Sequence, residues 1–223
     1  MGRSRCPASM SDAEYETLTA LVDSEAPART LEIGMAHGGS SEVLCRWHHR
    51  NQIGRHTAID PFQSDISHWN SAGIERLKRQ GLWQYCTLIE KPSYLALPEL
   101  VSNGDVFDCV LIDGWHSFDF TLVDMFYGDL LLRDGGVMIV HDANLPSVYR
   151  ALRFLETHKP YDRLSSRLLV DIPYLSGRVA RRVWSAMTGH AHEDRERRRR
   201  WHRFGVYKKR RAYQVDNAEY WRF

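Results

Sequence analysis

Apolar and polar residues follow two periods along this chain, and stretches of the two periods alternate. Short, continuous apolar runs are typical of strands buried on both faces of a sheet, and they occupy 29–33, 56–60, 85–90, 107–112 and 136–140. Longer stretches with the helical spacing of apolar side chains occupy 40–49, 71–80, 92–101, 118–132 and 147–158. This uninterrupted alternation predicts an α/β fold with a doubly wound, mostly parallel sheet and right-handed crossovers.

A further helix is predicted before the first strand. Ser11 and Glu14 stand three residues apart at the start of an amphipathic stretch, which is the spacing of a capping box. We therefore divide the chain into an N-terminal helix within residues 1–27 and one α/β domain at 28–223. The length of 223 residues is enough for one such domain with a sizeable core.

The C-terminal part of the chain differs from the rest in charge. Two runs, at 167–172 and 204–208, predict a β-hairpin-like pair of strands, and a basic, at least partly helical insertion is expected between them at about 174–203. Residues 174–223 hold 14 Lys and Arg against 5 Asp and Glu, whereas the preceding 173 residues hold 16 against 23. An acidic body therefore carries a basic segment.

The Arg-rich run at 195–200 has three interpretations. Clustered Arg beside Trp201 can bind phosphates and stack on bases, as in a non-catalytic RNA-binding module. Acidic residues at helical pairing distance favour a solvated charged surface instead. We prefer the second interpretation and do not expect a nucleic acid partner, because the net charge is modest and no RNA-binding motif occurs. The third is a lid or a homo-oligomer contact that uses Trp184, Trp201, Tyr220 and Trp221.

Composition narrows the environment of the protein. No apolar stretch reaches the roughly 18 residues of a membrane span, and the first ten residues lack the apolar core of a signal peptide. The four cysteines lack metal-ligand spacing. We therefore expect reduced thiols, no membrane partner and a cytoplasmic location.

Acids and histidines follow two of the predicted strands at the point where each strand ends. Asp113 and His116 follow the fourth strand, and His141 with Asp142 follows the fifth. Because open α/β sheets bind ligands beyond the carboxyl ends of their strands, these four side chains should meet in one crevice. The set suits a metal site with a general base beside it.

A glycine turn follows the first strand. Gly34 and Gly38 stand four residues apart just before a helix start, so the backbone can turn sharply and lie close to a ligand. Asp60 ends the second strand, where an acid can accept hydrogen bonds from the two hydroxyls of a ribose. The pair of features predicts a nucleoside ligand.

Two residues in and just before this turn indicate which nucleoside-containing ligand fits better. Ala36 occupies the place of the middle glycine, which would let backbone amides reach a pyrophosphate. Glu32 precedes the turn and suits a ligand with a cationic ammonium and sulfonium. S-adenosylmethionine therefore fits better than a nicotinamide dinucleotide, and an NAD(P)-dependent oxidoreductase is the alternative that binding of NAD(H) would favour.

Four segments together resemble class I S-adenosylmethionine-dependent methyltransferases. They are Leu-Glu-Ile-Gly-Met-Ala-His-Gly-Gly-Ser-Ser at 31–41, Ala-Ile-Asp-Pro-Phe at 58–62, Ile-Asp-Gly-Trp-His at 112–116, and Gly-Gly-Val-Met-Ile-Val-His-Asp at 135–142. The chain is most similar to the sugar and small-molecule O-methyltransferases with an Ile-Asp-Gly-x-His motif after strand four. The resemblance covers about residues 28 to 150 and implies a Rossmann-like fold, while the substrate does not transfer with the fold.

The resemblance also implies the residues that bind the cofactor. Asp60 would hold the ribose, Phe62 would lie beside the adenine, and Ser93 would lie near the adenine edge. The expected S-adenosylmethionine-binding residues are Glu32, Gly34, Gly38, Ser40, Asp60, Phe62, Ser93 and Asp113.

Metal-dependent members of that group use an Asp after strand four and an acidic pair after strand five. Asp113 and Asp142 match two of these positions, but His141 replaces the first acid of the pair. We expect Asp113, His141 and Asp142 to hold a divalent cation. Mg²⁺ prefers oxygen ligands, so the nitrogen of His141 favours Mn²⁺ over Mg²⁺ or makes His141 a second base.

His116 corresponds to the candidate general base of the resembling group. The resemblance therefore implies transfer of a methyl group to a hydroxyl of a saccharide or other polar small molecule, with His116 taking the hydroxyl proton. A divalent cation would lower the pKa of that hydroxyl.

Overall fold

The fold is built around one seven-stranded sheet. The computed structural model describes residues 10–164 and 203–211. The strands are β1 Arg29–Ile33, β2 Arg55–Ile59, β3 Cys86–Ile89, β4 Phe107–Ile112, β5 Leu132–Val140, β6 Tyr161–Arg163 and β7 Gly205–Lys209. They lie in the order β3-β2-β1-β4-β5-β7-β6. The first five pair in parallel, and β7 pairs antiparallel with both β5 and β6. The predicted Rossmann-like sheet with an antiparallel C-terminal pair is confirmed.

In the described part of the chain, six α-helices cover the two faces of this sheet. Their bounds are α1 Asp12–Glu25, α2 Gly39–Asn51, α3 Ala72–Arg79, α4 Ser93–Ser102, α5 Phe118–Leu131 and α6 Pro146–His158. At the start of α1 the predicted capping box is complete, because the Ser11 side chain accepts from the Glu14 amide and the Glu14 side chain accepts from the Ser11 amide.

Successive side chains of each strand point to opposite faces of the sheet, so the core has two layers. Val110 and Ile112 of β4 pack in a cluster with apolar residues of α4, α5 and α6. Cys109 and Leu111 of the same strand face the opposite side, in a cluster with residues of α1 and α2. The sheet is therefore buried on both faces, as its continuous apolar strands predict.

Several elements differ from the sequence-based expectation. The strand expected at 136–140 begins earlier, because Leu132 already pairs with Phe107 and the register shifts before Cys109 pairs with Val137. Gly135 allows this irregularity with a φ of +75°. The partner of β7 is β6, which the sequence pattern did not predict. The strand expected at 167–172 lies outside the described residues, as do all but the last residue of the expected insertion.

Two expectations from composition concern the cysteines and membrane-spanning helices. Cys45, Cys86 and Cys109 are buried free thiols. Within residues 10–164 and 203–211, no helix is both long and apolar enough to cross a membrane. The aromatic residues that suggested a lid or a homo-oligomer contact lie outside the described residues; they are Trp184, Trp201, Tyr220 and Trp221.

Candidate active site

The carboxyl ends of β1, β4 and β5 lie side by side. Gly34, Asp113 and His141 each stand directly after one of these strands. Each donates its backbone N–H to the last carbonyl of a neighbouring strand, with N–O distances of 2.9, 2.8 and 2.9 Å. The order of the sheet reverses between β1 and β4, and that crevice is where doubly wound folds bind ligands. The structure thus brings the glycine turn and the acid–histidine pairs to one edge.

The glycine turn has no room for a side chain. Gly34 has a φ of +94°, and a Cβ added there would lie 2.1 Å from the carbonyl oxygen of Asp113. Gly38 has a φ of +72°, and its added Cβ would lie 2.8 Å from the Cα of Gly73. Both positions therefore require glycine for its backbone conformation and for close packing.

Asp60 holds the loops that follow β1 and β2 together. The residue is 3% exposed. Its Oδ2 accepts a hydrogen bond from the amide of Ala36 at 2.8 Å, and its Oδ1 accepts one from the amide of Phe62 at 2.9 Å. The ring of Phe62 stacks on His68, with centroids 4.3 Å apart.

Glu32 lies inside the fold and is fully buried. Its Oε2 accepts hydrogen bonds from the Ser41 hydroxyl and from Nε2 of His56, the latter at 3.2 Å. Oε1 has no hydrogen-bond partner among the described residues. A buried polar network linking β1, β2 and α2 thus lies below the glycine turn, with one acceptor unused.

Ser40 and Ser93 both stand in the first turn of a helix. Ser40, in α2, is buried, and Ser93, at the start of α4, is half-buried. Ser93 hydrogen-bonds the side chain of Asp124, a buried residue of α5 that the sequence analysis did not single out. Burial raises the pKa of Asp124 to about 6, although the bond from Ser93 opposes this shift.

His141 lies between two carboxylates. Its Nδ1 is 2.8 Å from Oδ1 of Asp113, and its Nε2 is 2.9 Å from Oε1 of Glu14 in α1. The side chain is 8% exposed. Each ring nitrogen therefore has its own acidic partner, one from β4 and one from the N-terminal helix.

His116 joins the ends of β4 and β5. Its Nε2 lies 2.9 Å from Oδ2 of Asp142 and 3.6 Å from Oδ1 of Asp113. Asp142 has a left-handed backbone with a φ of +50°, a conformation that Asp tolerates better than most residues. The other oxygen of Asp142 accepts a hydrogen bond from Nη1 of Arg203.

These contacts close a ring of alternating acids and bases, because Nε of Arg203 also lies 3.4 Å from Oε1 of Glu14. We call this ring the charge ring. In order around the ring, its members are Glu14, His141, Asp113, His116, Asp142 and Arg203.

The charge ring shifts the pKa of its members away from their ordinary values. Burial lowers the pKa of His141, but Asp113 and the other acids outweigh burial and raise it to about 10. Hydrogen bonds to Asp113 and Asp142 raise the pKa of His116 to about 9. Burial raises the pKa of Glu14, but its bonds with His141 and Ser11 outweigh that effect and hold it at about 2.

The two strand-end acids respond in the same direction as Glu14. Burial favours their neutral form, but the histidines beside Asp113 hold its pKa below the ordinary value. His116, His141 and Arg203 likewise hold the pKa of Asp142 far below its usual range. Both acids are therefore anionic at neutral pH.

The donor atoms of the ring can also hold a metal. Asp113, His116 and His141 each offer one ligand atom, and these three atoms lie within 4.8 Å of one another. Oδ2 of Asp142 lies 3.8 Å from Nδ1 of His141. A ligating histidine commonly donates its other N–H to a carboxylate, and Glu14 stands in that relation to His141.

The structure brings together all four strand-end residues that the sequence indicated, and it adds two. The sequence pattern places Glu14 only in a capping box and Arg203 only in a basic segment. The capping box was the one sequence signal near this site, but it does not show which strand the helix will face. The walls beside the ring include Trp115, Thr121 and Val148.

Solved structures similar to this fold include the following three. The cofactor-bound protein Rv0187 from MTB is 19% identical, with a TM-score of 0.66 and coverage of 94% of this chain and 85% of its own. The O-methyltransferase TomG from Streptomyces achromogenes, involved in tomaymycin synthesis and in complex with SAM, is 22% identical, with a TM-score of 0.59 and coverage of 70% and 73%. The O-methyltransferase from Bacillus cereus in complex with SAH is 18% identical, with a TM-score of 0.60 and coverage of 71% and 75%.

At these identities the three structures establish the fold. No curated protein matches the chain significantly in sequence. A family model described as a methyltransferase domain matches residues 31–143. This match spans half of the chain and contains the glycine turn, Asp60, and the strand-end acids and histidines. The chain therefore belongs to the methyltransferase domain family.

Proposed function

We propose that the protein is an S-adenosylmethionine-dependent O-methyltransferase that acts on a hydroxyl of a saccharide or another polar small molecule. The observation that carries this proposal is the position of the charge ring directly beside the glycine turn. A cofactor on the turn would thus face proton-accepting and cation-binding groups. The complexes of TomG with SAM and of the Bacillus cereus enzyme with SAH support the choice of cofactor.

The residues at this edge fit that cofactor. The two glycines allow the tight turn after β1 on which the cofactor would lie, and Asp60 stands after β2 at the position of a ribose acceptor. Glu32 retains an unused acceptor oxygen below the turn. The proposed cofactor-binding residues are Glu32, Gly34, Gly38, Ser40, Asp60, Phe62, Ser93 and Asp113.

The donor set also fits a divalent cation, which Asp113, His141 and Asp142 would hold. Such an ion would lower the pKa of the acceptor hydroxyl. The nitrogen donor favours Mn²⁺ over Mg²⁺. His141 would ligate through Nδ1 after that nitrogen loses its proton to the incoming ion, with Glu14 holding the proton on Nε2.

His116 is the proposed general base. Its side chain is 31% exposed, more than that of His141, so it can meet an acceptor from solvent. The acceptor oxygen forms a bond to the methyl carbon, and the carbon–sulfur bond breaks with its electron pair retained by sulfur. Because its pKa is about 9 in the metal-free protein, His116 must first lose a proton. The hydroxyl proton then passes to the neutral ring, and the products are the methyl ether and S-adenosylhomocysteine.

Calorimetric titration of S-adenosylmethionine tests the cofactor, with Mg²⁺, Mn²⁺ or EDTA present. We expect a dissociation constant on the order of micromolar for the wild type and at least about tenfold weaker binding for Asp60→Ala. Asp105→Ala is the matched control and should bind as the wild type does, because Asp105 precedes β4 and lies at the amino ends of the parallel strands. Absence of binding under every condition would contradict the proposal.

Methyl transfer to a panel of hydroxylated acceptors tests the base. We expect His116→Ala to lower kcat by about 10²- to 10⁴-fold while S-adenosylmethionine still binds. His49→Ala, on the exposed side of α2, is the control and should keep the wild-type rate. A His116→Ala enzyme that works at the wild-type rate would exclude His116 as the base.

A further inference from the structure

Glu14 divides its two carboxylate oxygens between two tasks. Oε2 accepts hydrogen bonds from the amide and the hydroxyl of Ser11, at 2.7 and 2.6 Å, and so completes the cap of α1. Oε1 accepts a hydrogen bond from Nε2 of His141 at 2.9 Å and lies 3.4 Å from Nε of Arg203. Only the first task belongs to the helix.

The burial of Glu14 points to the second task. Glu14 is 6% exposed, and carboxylates are rarely buried unless they are paired. The helix is seated closely, because Gly39 leaves space for the Tyr15 hydroxyl where a Cβ would lie 1.9 Å from it. The chain thus commits α1 to the edge of the sheet where the methyltransferase site lies.

We infer that Glu14 is a positioning residue of the active site, which fixes the imidazole of His141 so that Nδ1 faces Asp113. This inference rests on the proposed function for its effect on catalysis. The hydrogen bond made by one ring nitrogen of a histidine determines the state and direction of the other nitrogen. An ionised carboxylate can only accept, so Glu14 keeps a proton on Nε2, and Asp113 does the same at Nδ1 while no metal is bound.

The inference makes the N-terminal helix part of the active site. Glu14 and His141 are 127 residues apart in sequence, and the family match begins only at residue 31. The helix therefore contributes a group that the matched segment does not contain. We expect loss of the Glu14 carboxylate to lower the rate of methyl transfer more than the affinity for the cofactor.

The first test observes the bond directly and requires no activity. In ¹⁵N-labelled protein, the buried Nε2–H of His141 should give a slowly exchanging imidazole proton signal that disappears in His141→Asp. Asp113→Asn should move the Nδ1–H signal instead, which distinguishes the two. Glu14→Ala should abolish the Nε2–H signal. Glu14→Gln keeps the shape of the side chain and should shift the signal upfield, because a neutral acceptor forms a weaker bond than a charged one.

The matched control separates the cap from the site. Ser11→Ala removes the cap hydroxyl but leaves Oε1 of Glu14 on His141, so the proton signal should persist. Comparable thermal unfolding temperatures for Ser11→Ala and Glu14→Gln would show that both proteins are folded. A signal that stays at the wild-type position in Glu14→Ala would overturn the inference.

A second readout concerns Mn²⁺ affinity and kinetics. Outer partners of ligating histidines typically affect metal affinity or activity by 10- to 100-fold, so Glu14→Ala should lower Mn²⁺ affinity and kcat by about that factor with little change in the KM for S-adenosylmethionine. Glu14→Gln should recover part of kcat. If the wild type neither binds Mn²⁺ nor transfers methyl groups, the proposed function fails, while the proton signal still decides the role of Glu14.

Discussion

At the scale of single residues, the site depends on positions that accept only one type of residue. Gly34 is the clearest case, because its backbone has a φ of +94° and its missing Cβ leaves space for the carbonyl of Asp113. That carbonyl belongs to Asp113, whose side chain is the first proposed metal ligand. A change at Gly34 therefore disturbs the glycine turn and the charge ring together.

We expect Gly34→Ala to destabilise the protein by about 3 kcal/mol or more, because backbone strain and a steric clash add. Urea unfolding of the purified variant measures this loss. Gly104→Ala is the matched control, since Gly104 has a φ of +72° but nothing within 4 Å of its added Cβ. Strain alone should cost that variant about 1 kcal/mol. Equal losses would show that the contact with Asp113 is not limiting.

The residues of the site differ in how far the sequence could reveal them. Asp113, His116, His141 and Asp142 were predictable because each follows an apolar strand, and parallel strands end at one edge. Glu14 was not, because its partner on β5 is set by the direction in which α1 packs. The sequence around Glu14 describes a helix start and contains no information on that direction.

At the scale of elements, β7 is fastened to the end of α5 by a buried lysine. Nζ of Lys209 donates to the carbonyls of Asp129 and Leu132, at 2.5 and 2.8 Å, and lies 3.3 Å from Oδ1 of Asp129. These carbonyls belong to the last turn of α5 and the residue after it, where helices leave acceptors unsatisfied. The strand that follows Arg203 is thereby held in place.

Lys209→Met should lower the free energy of unfolding by about 2–3 kcal/mol, because charged hydrogen bonds are lost inside the protein. Lys208→Met is the neighbouring control. Lys208 pairs with Glu25 on the surface and its side chain is 44% exposed, so its loss should cost less than about 1 kcal/mol. Urea unfolding of both variants is the measurement, and a smaller loss for Lys209→Met than for Lys208→Met would contradict this account.

Elements with strong local patterns were predictable, and elements defined by their partners were not. The helices α1 to α6 and the parallel strands carry their own apolar periods. By contrast, Tyr161–Arg163 is a strand only because β7 pairs with it, and its three residues show no local period. The early start of β5 has the same origin, since Leu132 becomes a strand residue by pairing with Phe107.

At the scale of the whole molecule, the methyltransferase class and the Rossmann-like fold predicted from the motifs are confirmed by the family match and the similar structures. The charge ring connects α1, β4, β5 and the start of β7. Its ion pairs therefore contribute to the stability of the entire fold. The contribution of the histidines is lost as the pH rises, and that of the acids is lost as the pH falls.

We expect the contribution of Glu14 and His141 to the stability of the metal-free protein to be largest between about pH 4.5 and 6.5. The pKa of His141 rises from 6.5 to about 10 on folding, so its contribution is complete below pH 6.5 and is lost as the pH rises toward 10. The pKa of Glu14 falls from 4.5 to about 2, so its contribution is complete above pH 4.5 and is lost as the pH falls toward 2.

Urea unfolding in EDTA across this pH range measures the effect. His141→Gln should be less stable than the wild type at pH 6 and should show a weaker loss of stability between pH 6.5 and 10, because it has no imidazole to deprotonate. Parallel alkaline profiles for the wild type and His141→Gln would contradict the assignment of this loss to His141.

The sequence by itself determined the class of fold, the glycine turn and the set of strand-end acids and histidines. It could do so because apolar period, glycine and strand ends are local features, and parallel topology carries strand ends to one edge. Only the tertiary structure decided which groups touch. The docking of α1 placed Glu14 on His141, and the antiparallel return through Arg203 placed a guanidinium on Asp142. Both contacts join residues far apart in the chain, and no local pattern encodes them.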